Sequence, residues 1–308
     1  PADDEEVVED EAEPAEVDGG AGGEDSEAPT LVATTPESDS PQRSDVTVSF
    51  QFSEPMDQAS VEDAYSSLSF PKESISFAWN EAGDTVTLIP IEPFAYADGN
   101  AGGAYGYGFS ILETATDLAG NPLGQAATVS FSTFRRFVLE AELQGNLTGW
   151  VSTGGGSGLD HIYVGDTAIN DNTLYGFVGF SLAGFPVEYE EIEIADLLFE
   201  QTAVNAGVAA LGQLYANQTF HDDVSGFALS ADMMASAPIS DVGFNEVIGD
   251  YRKASLIDIV IDDLANREAR TDLNRYRLMF TVATDEDGKQ DRVDFSEAPT
   301  LTITYLAE

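Results

Sequence analysis

Carboxylates crowd one short stretch near the C-terminus, Asp285-Glu286-Asp287-Gly288-Lys289-Gln290-Asp291-Arg292-Val293-Asp294. A hard cation such as Ca2+ takes about six to eight oxygen ligands around one point. The spacing Asp-x-Asp-Gly-x-x-Asp brings several carboxylates onto one tight turn. Asp285, Asp287, Asp291 and Asp294 are therefore the candidate ligands, with Ca2+ the candidate cofactor. The spacing is not a full EF-hand loop, and no bidentate Glu stands at its expected end. Lys289 and Arg292 would neutralise part of the charge. The competing reading is a solvated hairpin turn between Val282 and Val293. A second group, Asp160, Asp166, Asn170, Asp171 and Asn172, reads as an Asx-rich loop.

Other chemistry is sparse. The two histidines, His161 and His221, sit in no metal or nucleophile motif. Acidic pairs are so abundant that a glycosidase-like pair would arise by chance. Gly154-Gly155-Gly156 opens no helix for a phosphate. Trp150, Tyr163, Tyr175, Tyr215 and Tyr251 could stack on sugar faces, although single aromatics usually pack into cores or strand faces. Asn146-Leu147-Thr148 and Asn217-Gln218-Thr219 are sequons, which a chain this rich in Asn, Ser and Thr also contains by accident. An enzyme is not expected.

Charge narrows the partners. Asp and Glu number 56 against 12 Lys and Arg, a formal net charge of −44. Such a chain repels nucleic acids and anionic membranes, and attracts divalent cations or basic partners. Heavy acidity with three lysines (Lys72, Lys253, Lys289) fits a protein from a salt-loving organism, where salt screens the repulsion. An ordinary acidic surface protein fits as well. There is no cysteine, which removes disulfides and thiolate sites together. No apolar run is long enough to span a bilayer. The chain starts at Pro1 and reads as an exported, mature form whose export segment has been removed; a lipid-bearing Cys upstream is compatible with it.

Composition divides the chain into three. Residues 1–29 are rich in Asp, Glu, Gly, Ala and Pro, and lack basic and aromatic residues. Alone they cannot offset their ordering entropy. They read as a solvated stalk, or as an assembly strand in which Val7, Val8 and Val17 pair with a neighbouring sheet edge. Residues 30–135 carry period-two runs: Val46, Val48, Phe50 and Phe52; Val86 and Leu88; Tyr105, Tyr107, Phe109 and Ile111; Val129 and Phe131. Turn clusters separate them, which predicts a β-sandwich. Arg135-Arg136 marks a boundary. Residues 136–308 are again mostly strands, with Tyr175-Gly176-Phe177-Val178-Gly179-Phe180 apolar on both faces, as in a central strand. Ile257, Val260, Ile261 and Leu264 fall at helical spacing, with Asp258, Asp262 and Asp263 facing elsewhere, which predicts one short helix.

The first folded region resembles a known family. Thr35-Pro36, then Phe50-Gln51-Phe52-Ser53-Glu54-Pro55-Met56-Asp57, Leu88-Ile89-Pro90, Thr116-Asp117-Leu118-Ala119-Gly120-Asn121-Pro122-Leu123 and Val129-Ser130-Phe131-Ser132-Thr133 look like the bacterial Ig-like domain of S-layer and other surface proteins. The resemblance covers about residues 29–135 and implies a spacer or assembly module. Asp117 reads as a turn residue rather than a metal ligand, because Leu118 and Ala119 offer no side-chain oxygen.

The second region resembles, more diffusely, the jelly-roll domains of the DNRLRE and carbohydrate-binding-module type. Val164-Gly165-Asp166, Tyr175 to Leu182, Ile192 to Leu197, Tyr276-Arg277-Leu278-Met279-Phe280, Thr284 to Gly288 and Pro299 to Tyr305 carry the likeness. Relatives often have Arg before the Gly-Phe pair where this chain has Tyr175, so any contact made by that Arg does not carry over. The expectation is an all-β protein: an acidic tail, an Ig-like sandwich, and a jelly-roll-like sandwich with one helix. Its expected role is a non-enzymatic extracellular or cell-surface structural protein, self-associating into a filament or layer or meeting other surface proteins. The alternative is a carbohydrate-binding or adhesion module for glycans.

Overall fold

Alternation along the chain sets the first sheet. In Val48–Phe52, Val48, Phe50 and Phe52 are buried while Ser49 and Gln51 are not. In Thr85–Pro90, Val86 and Leu88 do the same. Side chains two apart point to one face, so each run closes one side of a core. The computed structural model describes residues 25–37, 40–205, 207–222, 224, 229, 238–242 and 251–308. Val7, Val8 and Val17 of the expected assembly strand lie outside the described residues.

The described strands are, in chain order, β1 (Leu31–Thr35), β2 (Val48–Phe52), β3 (Tyr65–Ser66), β4 (Ile75–Trp79), β5 (Thr85–Pro90), β6 (Ala97–Asp98), β7 (Gly106–Ile111) and β8 (Ala127–Ser132). There follow β9 (Arg135–Glu140), β10 (Glu142–Leu143), β11 (Gly149–Ser152), β12 (Ser157–Gly158), β13 (Ile162–Asp166), β14 (Thr173–Ser181) and β15 (Glu191–Val204). The last are β16 (Leu214–Gln218), β17 (Pro238–Asp241), β18 (Tyr251–Ser255), β19 (Leu273–Phe280), β20 (Arg292–Phe295) and β21 (Thr300–Ala307).

The described residues fall into two compact units: those of 25–37, 47–92 and 108–130, and those of 40–46, 93–107 and 131–308. In the first, one sheet runs β1-β2-β5-β4, and a smaller one runs β3-β7-β8. A short helix, Gln58–Asp63, joins them in sequence and adds to the sequence-based expectation. Asp57 caps it, accepting from the N–H groups of Ala59 (3.0 Å) and Ser60 (3.3 Å), and Val61 anchors it in the core. The cap satisfies donors that the first turn leaves without partners. Asp117 is the turn residue expected of it. Its Oδ1 accepts from Ala119 N–H (2.8 Å) and Asn121 N–H (2.9 Å), and Gly120 takes φ +91°.

In the second unit the main path is β17-β16-β19-β14-β13-β20-β15-β21-β9-β6, all antiparallel except the β6–β9 pair. β14 is central, as its two-sided apolar pattern predicts. Val178 and Phe180 join a large core with Leu197, Phe199, Tyr276 and Phe295, while Tyr175 and Phe177 pack on the other face with Val151 and Val224. β15 is long enough to serve two neighbours on one side in succession: residues 191–198 pair with β21, and residues 201–204 with β20. Arg135-Arg136, read from sequence as a boundary, begins β9 and pairs with Leu306 and Ala307.

The helix Ile257–Ala265 forms as its spacing predicts, but its faces differ in detail. Ile261 is 40% exposed, whereas Asp263 is buried. The reason is a polar socket: Asp263 accepts from Asn274 Nδ2 (2.5 Å), Gln218 Nε2 (2.8 Å) and the Arg270 guanidinium. A buried carboxylate persists only where donors replace water.

Candidate metal centre

The loop between β19 and β20 gathers the acidic run. Asp285 accepts from the Asp287 N–H (3.2 Å), and Asp287 accepts from the Lys289 N–H (2.7 Å). These local bonds curl the chain, with Glu286 at φ +58° and Gly288 at φ +72° supplying the left-handed turns. Carboxylate oxygens of Asp285, Asp287 and Asp291 come within 4.8 Å of one another. Two ligands on opposite sides of one Ca2+ are at most about 5 Å apart, twice a Ca–O distance, so one ion could touch all three.

Asp291 differs from its two companions. It is 2% exposed, and its Oδ2 has no hydrogen-bond partner. Burial, reinforced by the charges of Asp287, Asp285 and Asp166, pushes its carboxyl above the ordinary carboxylate range, and Lys289 opposes the shift. Asp287 moves the other way, because the Lys289 ammonium and backbone N–H stabilise its charge. Gly207 lies against the Asp291 carboxylate so closely that a Cβ there would sit 2.0 Å from Oδ1.

Asp294, the fourth candidate ligand, is not in this group. Asp291 immediately precedes β20 and Asp294 is its third residue, so strand alternation turns them to opposite faces. Asp294 instead forms a bidentate pair with Arg292, at 2.5 and 2.8 Å. The loop expected from Asn170 to Asn172 contributes in its place. Asp171 Oδ1 accepts from the Gly288 N–H (3.0 Å), and Asp166, fully buried at the end of β13, accepts from the Asp291 N–H (3.0 Å). Asp166 Oδ2 also lacks a partner.

A second acidic group, Asp25, Glu54 and Asp117, also brings carboxylate oxygens within 4.8 Å. Sequence spacing gave no sign of it, since the three come from distant segments. Here the buried member is satisfied: Asp117 takes two backbone N–H groups on Oδ1 and Asn121 Nδ2 (2.8 Å) on Oδ2.

Of the five candidate aromatic platforms, Trp150 and Tyr163 come together. Their rings are 5.5 Å apart, and the Arg292 guanidinium lies 3.9 Å from the Tyr163 centroid. They line an open cleft of about 330 Å³ with Ser152, Asn172, Leu174 and Arg292. Tyr175 is buried under Arg277, Tyr215 donates to Gln213 Oε1 (2.5 Å), and the side chain of Tyr251 lies outside the described residues. His221 is buried between Thr219 Oγ1 (2.7 Å) and the Leu147 carbonyl (3.0 Å), in contact with the Phe177 ring. His161 stacks on Tyr163. Asn146 is exposed and open to modification, but Asn217 is 1% exposed in β16, opposite Arg277. The second sequon is therefore closed in the folded chain, because strand pairing turned its Asn inward.

Comparison with known proteins bears on the N-terminal part of the folded chain, with residues from both units. Residues 25–133 match the bacterial Ig-like domain. No curated protein matches the chain. Among solved structures, an L,D-transpeptidase from Mycobacterium smegmatis is similar at TM-score 0.27 and 14% identity, covering 71% of this chain and 77% of that one. The surface layer protein SbsC, domains 1–6, is similar at TM-score 0.24 and 14% identity, covering 72% of this chain and 34% of that one. Native alpha-2-macroglobulin from Escherichia coli, domains MG0-NIE-MG1, is similar at TM-score 0.27 and 10% identity, covering 87% and 71%. None of these likenesses amounts to a shared overall fold. Residues 25–133 of this chain are a bacterial Ig-like domain.

Proposed function

We propose that the protein is a non-enzymatic structural component of a cell surface or extracellular layer, and that it self-associates through its acidic tail or an open strand edge. The observation that carries this reading is the bacterial Ig-like domain at residues 25–133, which suggests a cell-surface location. The edge strand β1 supports the mode of association. Among the described residues it pairs with β2 alone, and it carries Leu31 and Val32 at 38% and 60% exposure. Unpaired N–H and C=O groups on such an edge are a template for another chain's strand. The net charge of −44 argues against nucleic acid as a partner. No described helix is long and apolar enough to cross a membrane.

Electron microscopy of the purified chain, with and without residues 1–29, tests the assembly. Polymers that vanish on truncation support tail pairing. Polymers that persist remove the tail and leave the edge. Monodisperse particles across salt and protein concentrations would sink the assembly reading.

The Trp150–Tyr163 cleft favours a second reading, in which the larger unit binds a glycan. Aromatic faces stack on sugar rings, and Arg292 with Asn172 and Ser152 offers polar contacts beside them. A glycan array probed with the intact chain and with Trp150→Ala distinguishes the readings: binding lost in the variant supports the cleft, and no binding by the intact chain removes it.

A further inference from the structure

Two buried carboxylates lie beside one another in the larger unit, and each is incompletely satisfied. Asp291 (2% exposed) and Asp166 (0%) each have an Oδ2 without a hydrogen-bond partner. An ionised carboxylate out of water is costly unless a donor or a cation replaces the water. Among the described residues, the only cationic side chain that pairs with this loop's acids is Lys289, and it is committed to Asp287. Arg292 is turned to the other face by strand alternation and held by Asp294. Against one ammonium stand Asp166, Asp285, Asp287 and Asp291. The Asp291 carboxylate is also aimed at the group, since its oxygen lies within 4.8 Å of those of Asp285 and Asp287.

We propose that Asp285, Asp287 and Asp291 form a Ca2+ site that fastens the loop between β19 and β20 to the sheet. The all-oxygen donor set, without His or Cys, suits a hard divalent cation. Three carboxylates supply up to six oxygens, and main-chain carbonyls or water complete the larger shell that Ca2+ accepts more readily than Mg2+. Asp166 completes the setting from β13: it holds the Asp291 N–H and adds negative charge beside the ion. The acid that was fourth in the sequence spacing, Asp294, takes no part. The site stands independently of the surface role, so its failure would leave the assembly reading untouched.

Titration calorimetry on the intact, EDTA-stripped chain tests the proposal. It is run at fixed high NaCl, so that non-specific attraction to a highly charged surface is already screened. The titrants are CaCl2 and MgCl2. The expected result is one saturable Ca2+ site of affinity between about 10⁻⁶ and 10⁻³ M, with weaker Mg2+ binding. Asp291→Asn should weaken it at least about tenfold, as should the double variant Asp285→Asn/Asp287→Asn, because ligand charge sets affinity. The double variant changes groups at the loop surface and keeps the test valid if Asp291→Asn folds poorly. Glu81→Gln, on the surface of the other unit, should bind as the parent does. No saturable Ca2+ binding up to about 10 mM, well above the usual range, would overturn the proposal. So would a double variant that binds as tightly as the parent, and Mg2+ binding as tight as Ca2+ would reassign the site's ion.

Discussion

Asp166 and Asp291 grip one another through reciprocal bonds: the Asp291 N–H donates to Asp166 Oδ1 (3.0 Å), and the Asp166 N–H donates to the Asp291 carbonyl (2.8 Å). The contact clamps the end of β13 to the start of β20, yet it sets two buried carboxylates side by side. Asp166→Asn keeps an acceptor for the Asp291 N–H and removes one charge. Asp166→Ala removes the acceptor as well and leaves that N–H buried alone, at a cost of about 1–3 kcal/mol. Urea unfolding in EDTA should therefore rank Asp166→Asn at or above the parent, and Asp166→Ala below Asp166→Asn by about that amount. Equal stability of the two variants would mean that the clamp does not bear on the fold.

Gly207 offers a change that acts on the acidic centre from outside it. A Cβ at this position would lie 2.0 Å from Asp291 Oδ1 and 2.5 Å from Oδ2. The obstacle is the end of a rotatable side chain, so the carboxylate can swing aside while the backbone stays. Gly207→Ala should accordingly lower Ca2+ affinity more than stability. At Gly165 the obstacle is backbone: φ is +139°, and a Cβ would lie 2.0 Å from the Asp291 carbonyl oxygen. Gly165→Ala should unfold the β13–β20 pairing, with a loss of at least about 3 kcal/mol, as other strained and overpacked sites show. Thermal melts and calorimetry on the two variants separate these effects. A Gly207→Ala chain with parental Ca2+ affinity would show that the carboxylate does not need its present place.

The sequence was most readable where one periodicity governed the outcome. Val48, Phe50 and Phe52 turn inward as alternation requires, and β14 is buried on both faces as its continuous apolar run requires. Asp285, Asp287 and Asp291 were visible together because one loop carries them. Asp166 was not, because only the β13–β20 pairing brings it to Asp291. Asp294 was misplaced because spacing within a loop was carried into a strand, where alternation moves consecutive residues to opposite faces. Asp263 was expected on the outside of its helix. Hydrophobic spacing has no way to register that Arg270, Asn274 and Gln218 would converge on it.

That socket makes its own prediction. Asp263 is 2% exposed, and burial pushes its carboxyl upward against the pull of Arg270 and Asn274. Arg270→Met would leave an uncompensated buried charge, which typically costs about 3–5 kcal/mol. The double variant Arg270→Met/Asp263→Asn removes the charge and should recover part of the loss. Denaturant unfolding of the two variants at neutral pH measures the difference. If both fall equally, Arg270 supports the fold through packing alone, including its contact over the Phe220 ring, 4.9 Å from the centroid.

The acidic centre should also respond to pH in two opposed ways. The folded-state pKa of Asp291 is raised above its ordinary 3.8, first by burial and then by Asp287, Asp285 and Asp166. A carboxyl with a raised folded pKa favours the folded state most when protonated, at pH below its unfolded value. That advantage is lost as pH rises through the folded pKa. In EDTA, the parent should therefore lose stability relative to Asp291→Asn over that interval. With Ca2+ the sign reverses, because the ion needs the ionised form and competes with the proton. Affinity should fall as pH drops through the same interval, by up to about tenfold per pH unit for one displaced proton. Chemical unfolding and Ca2+ titration across the acid range measure the two arms. A parent and an Asp291→Asn variant with identical pH dependence in EDTA would show that Asp291 is not the titrating group.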